Sequence, residues 1–244
     1  MKEKKKTFIK IFMIICLFLL IYSVYNIIMW YVDNKQNETI KEEVNEIIDD
    51  ASDNDNKIDF KALKEKNNDI VAYLKVNNTK IDYVVVKGKD NSYYLTHNLY
   101  KKYNRAGWIF MDYHNKLDGM DKNIIIYGHN TLDGTMFGTL RKVIKKEWYT
   151  NEENLIINLV MEDKVQSYQV FSTYTIKVED YYINTIFKDN EEFNKFVNTL
   201  KKRSVYDYGV DVNGDDSILT LSTCTGNGKS RMVLHAKLIN DIID

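Results

Sequence analysis

The alternation of apolar and polar residues divides the chain into three unlike stretches. Residues 11–32 contain no Asp, Glu, Lys or Arg; 22 residues at about 1.5 Å each reach roughly 33 Å, enough for a bilayer core of about 30 Å. The run is longer than the apolar part of a signal peptide and no small-x-small cleavage site follows it, which predicts one retained transmembrane helix. Residues 33–57 are polar and acidic, yet Ile40, Val44, Ile47 and Ile48 recur at helical spacing, which predicts a helical stalk setting a distance from the membrane. From Ile58 the pattern becomes short β-rich runs at residues 71–76, 80–86, 108–111, 123–127, 154–161, 165–175, 217–223 and 231–239. Eight short strands between Asn, Asp and Gly turns predict a closed or nearly closed β-barrel. Helical patterns interrupt them at 60–66, 135–144 and 190–202. The organisation expected is a basic segment at 1–10, an anchor at 11–32, a stalk at 33–57 and a mainly β domain at 58–244.

Composition narrows the function. With 244 residues and 44% apolar side chains the chain can bury a core, and ten Gly with no Pro exclude collagen-like and Pro-rich readings. Lys and Arg number 34 against 35 Asp and Glu, so no global basic field exists to hold nucleic acid. The charge is unevenly placed: Lys2, Lys4, Lys5, Lys6 and Lys10 precede the apolar run. Positive residues stay cytoplasmic, with Trp30 and Tyr31 at the outer interface, so the domain is expected outside the cell. Two cysteines, Cys16 in the apolar run and Cys224, cannot build a disulfide framework.

Cys224 ends a strand and is followed by a Gly-rich turn before Arg231 opens the next strand. That hairpin brings a thiol and a guanidinium to one strand end, where a permanent cation can stabilise a thiolate or a carbonyl oxygen that becomes negative. Of four histidines, His129 follows an apolar strand and Gly128, a strand-end position where functional groups are commonly displayed. His235 lies mid-strand and reads as a packed side chain, while His97 and His114 sit among polar loop residues. A buried inert cysteine is the bland alternative. No CxxC, HExxH, GxSxG, Walker or GxGxxG pattern is present, so no metal and no cofactor is predicted.

At these residues the sequence resembles the sortases, membrane-anchored cysteine transpeptidases of Gram-positive bacteria. The likeness rests on Thr220-Leu221-Ser222-Thr223-Cys224, on Arg231 after a short loop, and on Tyr127-Gly128-His129-Asn130 upstream. The stretches 80–83, 90–98, 107–112 and 133–138 and the helical pattern at 190–202 are similar to class B members in particular, over roughly residues 58–240. The resemblance implies an eight-stranded sortase barrel with N-terminal helices and a helix inserted between late strands. It also implies a peptide groove ending at Cys224 as nucleophile, His129 as general acid and base, and Arg231 as stabiliser of substrate and oxyanion. Asn98, Tyr182, Ile183, Ser222 and Thr223 are similar in position to substrate contacts. The partners implied are secreted proteins with a C-terminal sorting signal and an amine of the peptidoglycan cross-bridge or its lipid-linked precursor. The alternatives are an exported cysteine hydrolase and a non-catalytic wall-binding module. Two departures stand out: no Pro occurs around 76–85, and the Cys224–Arg231 loop is short for class B.

Overall fold

The structure, a computed structural model, describes residues 2–55, 58–118, 120–224 and 228–243, the side chains at 2, 50–55, 224 and 243 excepted. One helix, α1 (Lys2–Asp55), carries both the apolar run and the stretch expected as a stalk. Its apolar part includes an 18-residue window of mean hydropathy 2.5, none of it buried, so by length and composition it can cross a membrane. The polar half does not stand clear of the domain. Asp33, Asn37, Ile40, Val44 and Ile48 are buried, and their spacing of three and four residues gathers them into one stripe against the barrel. The Asn37 Nδ2 donates to the Gly107 carbonyl at 3.0 Å. The Asn104 Nδ2 donates to the Asp33 carbonyl at 2.9 Å and to Asn37 Oδ1 at 3.1 Å. A second helix, α2 (Phe60–Lys66), starts where Asp59 caps the Ala62 amide and buries Phe60 and Leu63.

Eight strands follow: β1 (Ile70–Lys75), β2 (Asp82–Lys87), β3 (Phe110–Met111), β4 (Asn123–Gly128), β5 (Ile156–Val160), β6 (Lys164–Lys177), β7 (Ile218–Cys224) and β8 (Ser230–Ile243). They close into a barrel in the order β1-β2-β3-β4-β7-β8-β6-β5, as the patterning predicts. Two junctions are parallel, β2 with β3 and β4 with β7. Ile124, Ile126, Leu219, Leu221 and Leu234 face the interior core. A second core lies outside, where Phe193, Phe196, Val197 and Leu200 of the helix α4 (Asn190–Arg203) pack with Phe171, Ile218 and Val233. Strands β4 and β7 are therefore covered on both faces, which explains their near-continuous burial.

The helix expected at 135–144 is not there. Backbone φ is +82° at Gly134 and +47° at Met136, the left-handed region that a right-handed helix excludes. The Thr131 hydroxyl donates to the Thr135 carbonyl at 2.5 Å, closing a loop instead. What forms is a 3-10 turn at Leu140–Lys142 and the short helix α3 (Lys146–Tyr149). The strand expected at 108–111 shortens to Phe110–Met111, and the first residues of 154–161 belong to a 3-10 turn at Glu152–Leu155.

Gly107 sits at the junction between α1 and the barrel. Its φ is +58°, and a Cβ there would fall 2.4 Å from the Tyr94 carbonyl oxygen. Gly107→Ala is therefore expected to destabilise the protein by about 2 kcal/mol or more, measured by denaturant unfolding of the full chain in detergent. A loss under about 0.5 kcal/mol would mean the backbone there yields freely.

Candidate active site

The site is built by strand register. In the parallel ladder Tyr127 pairs with Ser222 and Gly128 with Thr223, so the next residues, His129 and Cys224, leave their strands side by side. In the antiparallel ladder Cys224 pairs with Arg231. Three residues separated by 95 and 7 positions in sequence thus arrive at one rim. Gly128 lets the Phe137 ring pack against this strand end, since a Cβ on it would lie 2.7 Å from that ring. The side chain of Cys224 and the turn at 225–227 lie outside the described residues.

Side-chain alternation then decides which groups share a face. Ile124 and Ile126 of β4, Leu219 and Leu221 of β7, and Leu234 of β8 point into the barrel. Tyr127, Ser222, Val233 and His235 therefore lie on its outer surface, beneath the segment joining β6 to α4. Between them opens a cleft of about 330 Å³ lined by Leu95, Tyr127, His129, Tyr182, Ser222 and Arg231, among others. The half-buried His129 holds its Nε2 2.8 Å from the Leu95 carbonyl. A carbonyl only accepts, so this nitrogen carries a proton. Arg231 donates through Nη1 to the Gly228 and Ser230 carbonyls at 3.2 and 3.1 Å. Such a group can deliver positive charge to an oxygen in the cleft by giving up neutral acceptors.

The floor is a buried polar network. The Tyr182 and Ser222 hydroxyls lie 2.9 Å apart. Thr220 donates to Asn123 Oδ1 at 2.6 Å, and its hydroxyl lies 2.9 Å from Nδ1 of His235. The other ring nitrogen of His235 is 2.9 Å from the Tyr174 hydroxyl. His235 is fully buried; burial, aided by the Arg203 guanidinium, pushes its pKa down to about 3. It is a structural group held neutral. On the outer wall, Arg203 pairs with Glu179 at 2.6 Å, fixing the segment that contributes Val178, Glu179 and Asp180 to the cleft. Tyr127 donates to the buried Asp112 at 2.8 Å, and burial together with that carboxylate raises its pKa.

Of the residues singled out by sequence, His129, Arg231, Tyr182, Ile183, Ser222 and Thr223 all line the cleft. Asn98 does not. It is fully buried, and its Oδ1 accepts from the Tyr100 and Lys102 amides at 3.0 and 3.1 Å; the side chain closes a turn. Its neighbours Asn91 and Leu95 reach the cleft instead. They were findable only through the Asx turn at Asp90, whose Oδ1 accepts from the Ser92 and Tyr93 amides and aims the following residues. No group of three or more possible metal-binding side chains occurs among the described residues.

Comparison with known proteins gives one consistent answer. A family model described as a sortase domain matches residues 74–239. Sortase B from Listeria monocytogenes is 40% identical over 153 residues, 61% of each chain, so the aligned segment spans about three fifths of that relative's length. A Staphylococcus aureus sortase B–substrate complex superposes with a TM-score of 0.79 at 32% identity, covering 86% of this chain and 99% of that one. Sortase B from B. anthracis gives a TM-score of 0.76 at 33% identity, covering 86% and 99%.

The buried histidine sets a pH dependence. Its folded value lies below the unfolded one near 6.5. Stability from this group is therefore complete above pH ~6.5 and is lost as pH falls toward ~3, because the unfolded chain binds a proton the folded chain refuses. The slope is at most about 1.4 kcal/mol per pH unit. Urea unfolding across that window should show a steeper decline for the native chain than for His235→Gln; equal slopes would contradict the assignment.

Proposed function

This chain belongs to the sortase family, among its class B members, and we propose that it is a membrane-anchored cysteine transpeptidase acting on the outer face of the cell membrane. Cys224, as thiolate, attacks the carbonyl of the Thr in a C-terminal sorting motif; the C–S bond forms as the scissile C–N bond breaks. His129, made imidazolium by the proton it takes from the thiol, passes one proton to the departing amine, which otherwise leaves poorly. The Arg231 guanidinium turns from its two backbone carbonyls to the oxygen that becomes negative. An amine of the peptidoglycan cross-bridge or its lipid-linked precursor then attacks the thioester and gives up a proton to the now neutral His129; the new C–N bond replaces the C–S bond and the thiolate leaves.

The observation that carries this reading is the register: Gly128 beside Thr223 and Cys224 beside Arg231, with His129 and Arg231 in the wall of one cleft. A peptide fits such a groove, and the Staphylococcus aureus relative is described in complex with a substrate. Tyr182, Ile183, Ser222 and Thr223 are the substrate contacts in this account. The Lys-rich segment at 1–10 stays cytoplasmic, 11–32 crosses the bilayer, and the barrel domain faces outward. Secreted substrates retained by their own membrane tails and a lipid-linked acceptor share that surface, which raises the effective concentration of all three.

Incubating the full chain in detergent with a library of fluorogenic sorting peptides, with and without an amine acceptor, tests the proposal. Ligated product is expected only when the amine is present, and none from Cys224→Ala or His129→Ala. Arg231→Lys keeps the charge but loses the planar fork, and should lower kcat about 100- to 1000-fold. Cleavage to free acid with no ligated product would make the protein a hydrolase, and an unimpaired Cys224→Ala would end the enzymatic reading.

A further inference from the structure

The stripe by which α1 meets the barrel starts lower on the helix than a stalk needs. Arg105 donates through Nη1 to Oδ1 of Asn26 at 3.1 Å, and Asn26 and Met29 are partly covered. Both belong to the apolar run at 11–32. Asn26 lies six residues, or about 9 Å along the helix axis, inside the outer end of that run. If the run spans the membrane, a loop touching Asn26 cannot be above the headgroups.

That loop has the chemistry of an interface. Residues 101–105 read Lys-Lys-Tyr-Asn-Arg, and Tyr103 is 66% exposed. Lys101 pairs with Asp69 at 2.9 Å, while Lys102 is exposed. The loop is not free to swing away: Asn104 is bonded to Asp33 and Asn37, and Arg105 lies 3.8 Å from the buried Asp33 carboxylate. An exposed tyrosine among basic side chains at the level of a helix's outer end matches what phospholipid headgroups retain, the ring at the glycerol level and the cations at the phosphates.

We propose that the loop carrying Lys102 and Tyr103, held in place by Arg105, is a membrane-contact surface that seats on the phospholipid headgroups of the outer leaflet and holds the barrel flush against the bilayer. This rests on the reading of residues 11–32 as a transmembrane anchor. The wall of the cleft continues from the same loop, since Leu95 and Tyr94 lie against Gly107 and the Leu95 carbonyl holds His129. The cleft is thereby presented at a fixed height above the lipid.

The test uses the full chain reconstituted in phosphatidylcholine vesicles containing about one third phosphatidylglycerol, a leaflet negative enough to attract basic loops. One preparation carries a fluorophore at Tyr103→Cys in a Cys16→Ser, Cys224→Ser background; the other carries it on native Cys16 with Cys224→Ser. Quenchers are attached to lipid headgroups or to acyl chains. The label at 103 should be quenched by headgroup-borne quencher, and Lys102→Gln should cut that quenching by about half or more. The label at 16 should be quenched by chain-borne quencher. Quenching at 16 without quenching at 103 would overturn the seating while leaving the anchor intact. An unquenched label at 16 would remove the anchor and this inference with it, and quenching at 103 indifferent to Lys102→Gln would overturn the role given to that cation.

Discussion

The architecture depends on one constraint, the register shared by β4, β7 and β8. A strand slipped by a single residue turns every side chain to the other face. Here that would carry Leu219 and Leu221 out of the interior and Thr220 and Ser222 into it, burying hydroxyls away from Asn123, His235 and Tyr182. Burial on both faces of β7 gives two independent penalties against the slip, one apolar and one polar. The same register brings residues 129, 224 and 231 to one rim. Packing that stabilises the barrel therefore also fixes the spacing on which the proposed acyl transfer relies.

Around that ladder, polar contacts set the walls. The wall formed by the β6–α4 segment is anchored by Arg203 on Glu179 and by the Tyr182–Ser222 hydroxyl pair. The opposite wall is anchored through Asn37, Gly107, Tyr94 and Leu95 to the imidazole of His129. The two histidines differ in place: His235 lies within β8 and His129 just beyond the end of β4. His235 is sealed in and neutral, whereas His129 borders the cleft with its Nε2 on the Leu95 carbonyl.

Much of this was legible in the sequence, because β-branched runs and turn residues mark strands whatever their partners. The strand-end positions of His129 and Cys224 follow from where those runs stop. The loop at 135–144 was misread because its apolar spacing mimics a helix, while the left-handed backbone at Met136 leaves no trace in a non-glycine residue. Asn98 was misread because a turn-closing amide and a ligand-binding amide are the same side chain, and only the positions of the Tyr100 and Lys102 amides separate them. The docking of α1 was hidden for a similar reason: Asn37 and Asp33 count as solvent-facing until Asn104 supplies their partner. The acidic pair Glu179–Asp180 had no periodicity to betray it, since its place is set by Arg203, a residue more than twenty positions away.

The most direct measurement is the intact mass and peptide map of the full chain quenched in acid while turning over a sorting peptide. The account predicts a single acyl adduct equal to the N-terminal peptide product, attached to Cys224 as a hydroxylamine-labile thioester, and its disappearance when an amine acceptor is added. An adduct on another residue, or steady turnover with no thioester at Cys224 under any condition, would contradict it.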